Sequence, residues 1–327
     1  MNQDFISRTS EYRTRIQTHI AEYLSQEKPQ SLYEPMRYAL QSGGKFIRPL
    51  LTLVACGAVG GSINDAEQAA AALELAHNFT LVHDDIMDND ELRRGRETVY
   101  KKWNASVGIL AGDAILVKAY EALNSVSSRH LSRVLHEFNQ GILMVCEGQA
   151  MDMEFESRQD VTLDEYFHMI DRKTAKLFSL SCVIGAILGD GSELEIDSLR
   201  TFGQKLGRAF QVQDDLLDIL SDQETLGKDI GSDMLADKKT YLMLYTKENA
   251  NKDALRQIEG LQQKNRLSAS DLQDAISIME NVGAIAGAKK EAETALTDAR
   301  NALTQLKEND YKTMLAGLLD TLEHRTY

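Results

Sequence analysis

Proline is scarce in this sequence of 327 residues, and its few copies are confined to the start of the chain. Pro29, Pro35 and Pro49 are the only three, and no proline follows residue 49. Because proline removes a backbone N–H donor and clashes with the preceding helical turn, a proline-free stretch permits long helices. Strand signals are weak as well, since no convincing run of valine, threonine and aromatics alternates with polar residues. These absences favour an all-helical chain.

Cysteine is also rare. Cys56, Cys146 and Cys182 are odd in number and widely separated, so they form neither a disulfide framework nor a zinc pattern. We expect all three to occupy core positions in a protein of a reducing compartment.

The chain lacks an excess of positive charge: 36 lysines and arginines oppose 50 acids, which gives a net charge of −14. A nucleic-acid partner is therefore disfavoured, because neutralising phosphates needs a basic surface. No apolar run approaches the length of a membrane span, and the polar first twenty residues do not resemble a secretory signal. We expect a cytoplasmic protein without a membrane span.

Apolar residues instead recur at helical spacing, most clearly over residues 66–87 and 199–220. Gly60-Gly61 and Gly189-Asp190-Gly191 predict turns between such segments. There is no low-complexity linker and no short repeat. We therefore predict one all-α domain over residues 1–327.

Two acidic segments share the spacing D-D-x-x-D, each beside apolar helical residues. They are Asp84, Asp85 and Asp88 in the first segment, and Asp214, Asp215 and Asp218 in the second. On a helix the outer two aspartates of each segment lie one turn apart, about 5–6 Å between Cβ atoms. In a cleft with an effective dielectric constant near 20, such a pair repels by about 3 kcal/mol, so it needs cations. Oxygen ligands without cysteine suit Mg²⁺. The alternative for either segment alone is a solvated acidic surface.

Basic residues beside these segments and after a glycine pair are candidates for binding phosphate. Two glycines ahead of Lys45 and Arg48 allow an anion to approach the backbone closely. Arg93 and Arg94 follow the first acidic segment, and each could bind two phosphate oxygens in bidentate fashion. The other candidates are Lys173 with Thr174, Lys228, Lys238 and Lys239. Each alone fits an ordinary surface cation, whereas the joint occurrence favours a site for phosphorylated substrates.

Several motifs occur in the order found in one enzyme family. They are GGKFIRP, LVHDDIMDNDELRRG, GDAIL, EGQAMDM, KTAKLF and FQVQDDLLDI, followed by GKDIGSD. From about Gly43 to Thr240 the chain thereby resembles the trans-type (all-E) prenyl diphosphate synthases. The segment FTLVHDDIMD is most similar to the geranylgeranyl-type members.

The resemblance implies a bundle of antiparallel helices around a deep central cavity, the isoprenoid synthase fold, usually as a homodimer. It implies that isopentenyl diphosphate condenses with an allylic diphosphate of five, ten or fifteen carbons, with three Mg²⁺ ions per active site. Cations assist loss of the allylic diphosphate, the isopentenyl double bond attacks the carbocation, and the released diphosphate takes the proton. The sequence agrees in having no G-x-S-x-G nucleophile motif.

The same resemblance assigns roles residue by residue. The metal ligands would be Asp84, Asp88 and Asp214, supported by Asp85 and Asp218. The allylic diphosphate would be bound by Arg93, Lys173, Gln211, Lys228 and Lys238, and isopentenyl diphosphate by Lys45, Arg48, His77 and Arg94. Thr174 and Gln211 would stabilise the carbocation. Apart from the resemblance, Gln149 and Asp152 in EGQAMDM could support the metals, with ordinary helix polarity as the alternative interpretation.

Product length would depend on the residues below Asp84. The bulky ring of Phe79 matches the position that limits the chain in the family, which favours products of fifteen or twenty carbons. Ala76, one turn further, leaves room behind it, and Thr80 lies beside it. We therefore expect geranylgeranyl diphosphate, with farnesyl diphosphate or a longer product as alternatives. The simpler interpretation of Phe79 is core packing.

Departures from the family pattern are few. Phe46 stands where a third basic residue often occurs, and Asp237 replaces the glycine before Lys238, which makes the role of Lys238 the least secure. A terpene cyclase would carry a different second metal motif, and a silent subunit of a two-component synthase would lack some of the aspartates or arginines. An acidic helical scaffold that binds divalent cations is the remaining alternative.

Overall fold

The structure, a computed structural model, describes residues 3–41, 43–220, 231–264 and 267–323. Within them, the α-helices are α1 (Gln3–Tyr23), α2 (Gln30–Leu40), α3 (Ile47–Ala58), α4 (Glu67–Met87), α5 (Val99–Lys102), α6 (Ala105–Leu123), α7 (Ser128–Ser157), α8 (Leu163–Ile170), α9 (Lys176–Leu188), α10 (Glu193–Leu220), α11 (Ser232–Leu235), α12 (Tyr241–Asn249), α13 (Lys252–Gln262), α14 (Ala269–Asn281), α15 (Ala284–Ala302) and α16 (Asp310–Glu323). Short 3₁₀ turns occupy Ile63–Ala66 and Leu303–Gln305, and a π-helical turn occupies Asp171–Ala175. Strands β1 (Leu92–Arg93) and β2 (Arg96–Glu97) form an antiparallel hairpin. The predicted all-α fold class is confirmed.

Helix length follows the distribution of proline. The longest helices, α7 with 30 residues and α10 with 28, both lie after the last proline. Pro29 precedes α2 as its N-cap, and Pro35 lies inside that helix.

The chain divides into two compact units. The first consists of Met1–Gly141, Leu177–Thr201 and Ala302–Leu318, and the second of Ile142–Lys176, Phe202–Asn301 and Leu319–Tyr327.

In the first unit α4 is the central helix and packs against α1, α3 and α6. Its run of four alanines, 69–72, is fully buried, and a helix that is apolar on all sides belongs to a core. Two glycines bring neighbouring helices close. A Cβ atom at Gly112 of α6 would lie 2.2 Å from Nε2 of His83 in α4, and one at Gly185 of α9 would lie 2.1 Å from the carbonyl oxygen of Thr52 in α3. Only glycine fits at Gly185, where the contact is with backbone, whereas a Cβ at Gly112 would displace the His83 ring.

The glycine turns predicted from the sequence are also in the first unit. Gly60 has a φ of 96°, a left-handed conformation that favours glycine. A Cβ at Gly61 would lie 2.3 Å from Cα of Gly189, so the two predicted turns pack directly on each other.

The second unit has its own core, which α8, α10, α12, α14 and α15 supply. Its large buried members include Tyr166, Met169, Leu216, Tyr241 and Met279. The end of α10 is thereby fixed by apolar packing from several helices.

The cysteine prediction is confirmed for two residues and wrong for the third. Cys56 and Cys182 are buried, whereas Cys146 lies on the exposed side of α7, next to the buried Val145. Helical periodicity, which places adjacent residues on different sides, accounts for the error.

Across the described ranges, no helix combines the length and the apolar character needed to cross a bilayer.

Candidate active site

The first aspartate motif lies at the C-terminal end of α4, in the first unit. Asp88 is the C-cap, and its N–H donates to the carbonyl oxygen of Asp84 at 2.8 Å, so these two residues lie one turn apart as predicted. Both are partly buried, whereas Asp85 is only 4% exposed. The motif therefore contains two accessible acids and one buried acid.

Asp85 is bound to an arginine. Arg93 Nε donates to its Oδ1 at 2.5 Å. Burial raises the pKa of Asp85 to about 6, against the opposing effect of the Arg93 charge. The β1–β2 hairpin delivers this arginine, since Asn89, Arg94 and Gly95 all adopt positive φ values that turn the chain sharply. The carboxylate of Asp85 thus links the end of α4 to the hairpin.

The neighbouring Arg94 contacts the glycine pair. Its Nη1 donates to the carbonyl oxygen of Gly43, and a Cβ at Gly44 would lie 2.9 Å from the same nitrogen. Gly43 and Gly44 have φ values of 78° and 150°. Here the left-handed backbone and the close approach both require glycine. The glycine pair and the arginine pair are thereby in contact, although Gly43 and Arg94 are 51 residues apart in the sequence.

His77 and Arg48 belong to the same group. Burial, followed by the charges of Arg48, Arg94 and Arg93, lowers the pKa of His77 well below its usual value, so the imidazole is neutral. Its Nδ1 is buried and has no hydrogen-bond partner within the described part of the chain. Arg48 Cζ lies 4.8 Å from the ring centroid of Phe178. Arg48 and Arg94, two of the residues predicted to bind isopentenyl diphosphate, thus lie near His77, and Lys45 is exposed just before α3.

Two residues of this group were missed by the sequence reasoning. Glu74 of α4 is only 4% exposed, and Arg13 of α1 lies 5.0 Å, from its Cζ, above the ring of Phe46. A charged residue within an otherwise apolar helix was the available signal for Glu74. Nothing in the sequence distinguished Arg13 from the other arginines of α1.

The second aspartate motif lies in the last turns of α10, in the second unit. Asp215 is 4% exposed and accepts three hydrogen bonds: from Tyr166 Oη at 2.7 Å, from the backbone N–H of Tyr241 at 2.9 Å and from Gln211 Nε2 at 3.1 Å. Burial raises the pKa of Asp215 to about 7, and these hydrogen bonds oppose the rise. Asp215 is therefore an internal anchor, whereas Asp214 is partly accessible.

Asp218 contacts the residues at the start of α11. Its carbonyl oxygen accepts from the N–H of Gly231 at 2.8 Å, and its carboxylate accepts from the N–H of Asp233 at 3.3 Å. Lys238 lies 3.8 Å from the Asp233 carboxylate. The predicted ligand Lys228 lies outside the described residues.

The π-helical turn presents Lys173 and Thr174. A Cβ at Gly148 of α7 would lie 2.3 Å from the backbone nitrogen of Lys173, so the turn packs on a position that only glycine can occupy. Lys173 Nζ donates to Asp152 Oδ2 at 2.5 Å, and Thr174 Oγ1 donates to Gln211 Oε1 at 2.9 Å. π-helical turns are frequent at functional sites.

Asp237, the departure from the family pattern, has a φ of 49° and accepts from Lys239 Nζ at 2.7 Å and from Gln262 Nε2 at 2.9 Å. The carboxylate thus holds the loop before α12 by side-chain contacts.

The residues proposed to limit product length lie on α4. Phe79 is buried and its ring meets that of His83 edge to face, with centroids 4.8 Å apart. Ala76 is fully buried, and Thr80 Oγ1 donates to the carbonyl oxygen of His77 at 2.8 Å.

The carboxylates of the two aspartate motifs are the candidate ligands for Mg²⁺. Among the residues that the structure describes, no three His, Cys, Asp or Glu side chains converge closely enough to hold a metal ion by themselves. Mg²⁺ at substrate sites commonly takes one or two carboxylates, water and phosphate oxygens. Asp84 and Asp88, one turn apart and both accessible, fit that requirement.

Taken together, the helical fold and two aspartate motifs flanked by arginine, lysine and amide groups define an enzyme that handles diphosphates. The chain belongs to the polyprenyl synthetase family, whose profile matches residues 29–279, and it is a prenyltransferase. The resemblance seen in the sequence is thus confirmed.

Relatives match over nearly the whole chain. The chain is 40% identical to the short chain isoprenyl diphosphate synthase of Methanothermobacter thermautotrophicus, with 97% of each covered, and 34% identical to the geranylgeranyl diphosphate synthase of Methanosarcina mazei, with 96% of each covered. The solved geranylgeranyl pyrophosphate synthetase of Pyrococcus horikoshii Ot3 superposes with a TM-score of 0.93 at 37% identity, and 99% of each chain is covered.

Proposed function

We propose that this prenyltransferase makes geranylgeranyl diphosphate from isopentenyl diphosphate and shorter allylic diphosphates. The observation that carries the proposal is the division of each D-D-x-x-D motif into buried and accessible acids within a chain of this family. The buried Asp85 and Asp215 hold structure, which leaves Asp84, Asp88 and Asp214 for cations.

The allylic diphosphate would be bound through Mg²⁺, which neutralises the departing diphosphate when bound. Asp84, Asp88 and Asp214 would be its principal protein ligands, with Asp85 and Asp218 in support. Arg93, already bound to Asp85, and Lys173, paired with Asp152, would bind phosphate oxygens directly. Lys228 and Lys238 complete the proposed set.

Isopentenyl diphosphate would be bound by Lys45, Arg48, His77 and Arg94. The lowered pKa of His77 keeps its imidazole neutral, so this residue would contribute an N–H donor without a charge. The arginines supply the charge that phosphate oxygens require.

Thr174 and Gln211 would face the developing carbocation. The hydrogen bond from Thr174 Oγ1 to Gln211 Oε1, continued by Gln211 Nε2 to Asp215, fixes the orientation of both dipoles. Dipoles fixed in advance stabilise charge without reorganising during the reaction.

A product of twenty carbons is supported by the position of Phe79, which is buried one to two turns before Asp84, with the small Ala76 beyond it. Relatives named as geranylgeranyl diphosphate synthases agree with this length. Farnesyl diphosphate and longer products are the alternatives.

The test is to incubate purified protein with Mg²⁺, isopentenyl diphosphate and each allylic diphosphate of five, ten or fifteen carbons, and to size the products. Geranylgeranyl diphosphate as the main product supports the proposal. A cyclic hydrocarbon would indicate a terpene cyclase, and no turnover by the protein alone would indicate a silent subunit.

The proposal includes a cytoplasmic homodimer in which residues 1–327 act as one polyprenyl synthetase domain. A dimer is supported by apolar side chains on α6 that remain exposed in one chain: Ile109, Leu110 and Val117 are 49%, 57% and 65% exposed. Such apolar patches commonly mark protein interfaces.

A further inference from the structure

The first unit contains a buried acid that the proposed chemistry does not use. Glu74 lies on α4, ten residues before Asp84, and accepts from Asn78 Nδ2 at 3.2 Å. Burial raises its pKa, while the positive charges of Arg48, Arg94 and Arg13 lower it, in that order of effect. A charged group is almost never buried without compensating partners. Asn78 supplies a hydrogen bond, and the positive charges of the three arginines supply electrostatic compensation.

The three arginines come from separate elements. Arg13 projects from α1, Arg48 from the start of α3, and Arg94 from the β1–β2 hairpin. Glu74 opposes all three positive charges, and Asp85 also acts on Arg94, which leaves an excess of positive charge. The group as a whole is therefore electropositive and suited to a polyanion.

Arg13 also borders a cavity. A space of about 240 Å³ is lined by hydroxyl-bearing residues of α1 and by residues at the start of α3, and Arg13 and Lys45 both face it. Lys45 is one of the residues already proposed to bind isopentenyl diphosphate. The cavity therefore gives Arg13 and Lys45 access to the same ligand.

We propose that Arg13 is an additional ligand for the diphosphate of the isopentenyl substrate, and that Glu74 is the positioning residue that draws Arg13, Arg48 and Arg94 towards one point. This inference rests on the function proposed above, because it concerns the same substrate. In the free protein Glu74 limits the mutual repulsion of the arginines. When the diphosphate binds, it becomes the second and larger counter-charge of the cluster.

The test compares Arg13→Gln with Arg15→Gln as a matched control. Arg15 lies on the same helix but pairs with Glu67, away from the cluster. Loss of one charged hydrogen bond corresponds to about a tenfold change in affinity. R13Q is expected to raise KM for isopentenyl diphosphate about tenfold, to leave KM for the allylic diphosphate and kcat within about twofold, and R15Q to change none of them. Because Arg13 is exposed, R13Q should retain the fold.

The role of Glu74 is tested by Glu74→Gln and by the double variant E74Q/R13Q. E74Q is expected to raise KM for isopentenyl diphosphate selectively, and the double variant to be no more than about twofold worse than E74Q alone, because Glu74 acts partly through Arg13. Equal increases in KM for both substrates in E74Q would show that Glu74 has a merely structural role and would overturn its proposed positioning role. Multiplied effects in the double variant would overturn the link between the two residues.

A second measurement separates this inference from the proposed function. Calorimetric titration with inorganic diphosphate, without Mg²⁺, should show about tenfold weaker binding by R13Q than by the unmodified protein and R15Q. If the unmodified protein makes no prenyl product but this difference is seen, the proposed function fails and the anion site stands. If the protein is active but R13Q matches it in both KM and diphosphate affinity, only this inference fails.

Discussion

At the level of single residues, the two D-D-x-x-D motifs share a buried middle aspartate, and in the second motif Asp218 is buried as well. The middle aspartate of each is buried, with a pKa raised to about 6 for Asp85 and about 7 for Asp215, because burial disfavours the charged form. Each is held by donors of its own unit. A buried carboxylate with such hydrogen bonds fixes the backbone that carries the neighbouring, more accessible aspartates.

Asp215→Ala should therefore mainly reduce stability, whereas Asp214→Ala should mainly reduce activity. Removing Asp215 leaves the Tyr166 hydroxyl and the Tyr241 N–H without their acceptor, which should lower the free energy of unfolding by about 3 kcal/mol. Asp214→Ala should change it by less than about 1 kcal/mol and abolish Mg²⁺-dependent turnover. Urea unfolding and product formation measure the two effects. Equal stability of the two variants would contradict the assignment.

Phe79→Ala should lengthen the product, because it removes the ring below Asp84. Sizing of the prenyl products with isopentenyl diphosphate in excess measures the change. Phe138→Leu, at another fully buried phenylalanine in the same unit, is the control and should leave product length unchanged. An unaltered product profile for F79A would assign Phe79 to plain core packing.

The buried thiols should be inert in the folded protein. Burial raises the pKa of Cys56 to about 12, and Cys182 is fully buried, so neither forms thiolate at pH 8. Brief treatment with iodoacetamide at pH 8 should leave both unmodified in peptide mass spectra, and treatment in denaturant should modify them. Rapid native labelling of Cys56 would place it outside the core.

At the level of elements, the contact between α7 and the π-helical turn leaves no room for a side chain at Gly148. Gly148→Ala would place Cβ 2.3 Å from the nitrogen of Lys173 and force the turn away. We expect a loss of about 1–3 kcal/mol in stability and a fall in kcat, because Lys173 and Thr174 both move.

Gly260→Ala is the control for this substitution. Gly260 lies within α13, and among the described residues no atom outside the adjoining helix backbone lies within 4 Å of its expected Cβ. Alanine there should stabilise the protein by about 0.5–1 kcal/mol and leave kcat unchanged. Thermal unfolding and steady-state kinetics on both variants separate displacement of the turn from a general effect of glycine replacement.

The sequence predicted the elements that depend on local patterns and missed those that depend on distant contacts. Helical spacing and missing proline predicted α4 and α10, and motif order identified the aspartates that are proposed as metal ligands. The π-helical turn was not predicted, because it depends on a missing side chain at Gly148, in another helix. Likewise, Arg13 joins the cluster through tertiary packing, and no local pattern singles it out.

At the level of the whole molecule, the proposed homodimer gives a direct test. Val117→Glu should place a charge in the exposed apolar patch of α6 and reduce the mass in light scattering from twice 36.5 kDa to 36.5 kDa. Leu194→Glu, at a similarly exposed leucine on α10, should leave the mass unchanged. A dimer that survives V117E would place the interface elsewhere.

The three donors to Asp215 have a consequence for enzyme engineering. Tyr166, the start of α12 and Gln211 share a single acceptor, and Gln211 in turn orients Thr174. We therefore expect substitutions at the inner face of α8 to change turnover without altering any residue proposed to contact substrate or magnesium. Mutant libraries confined to the residues proposed to bind substrate would not include these positions.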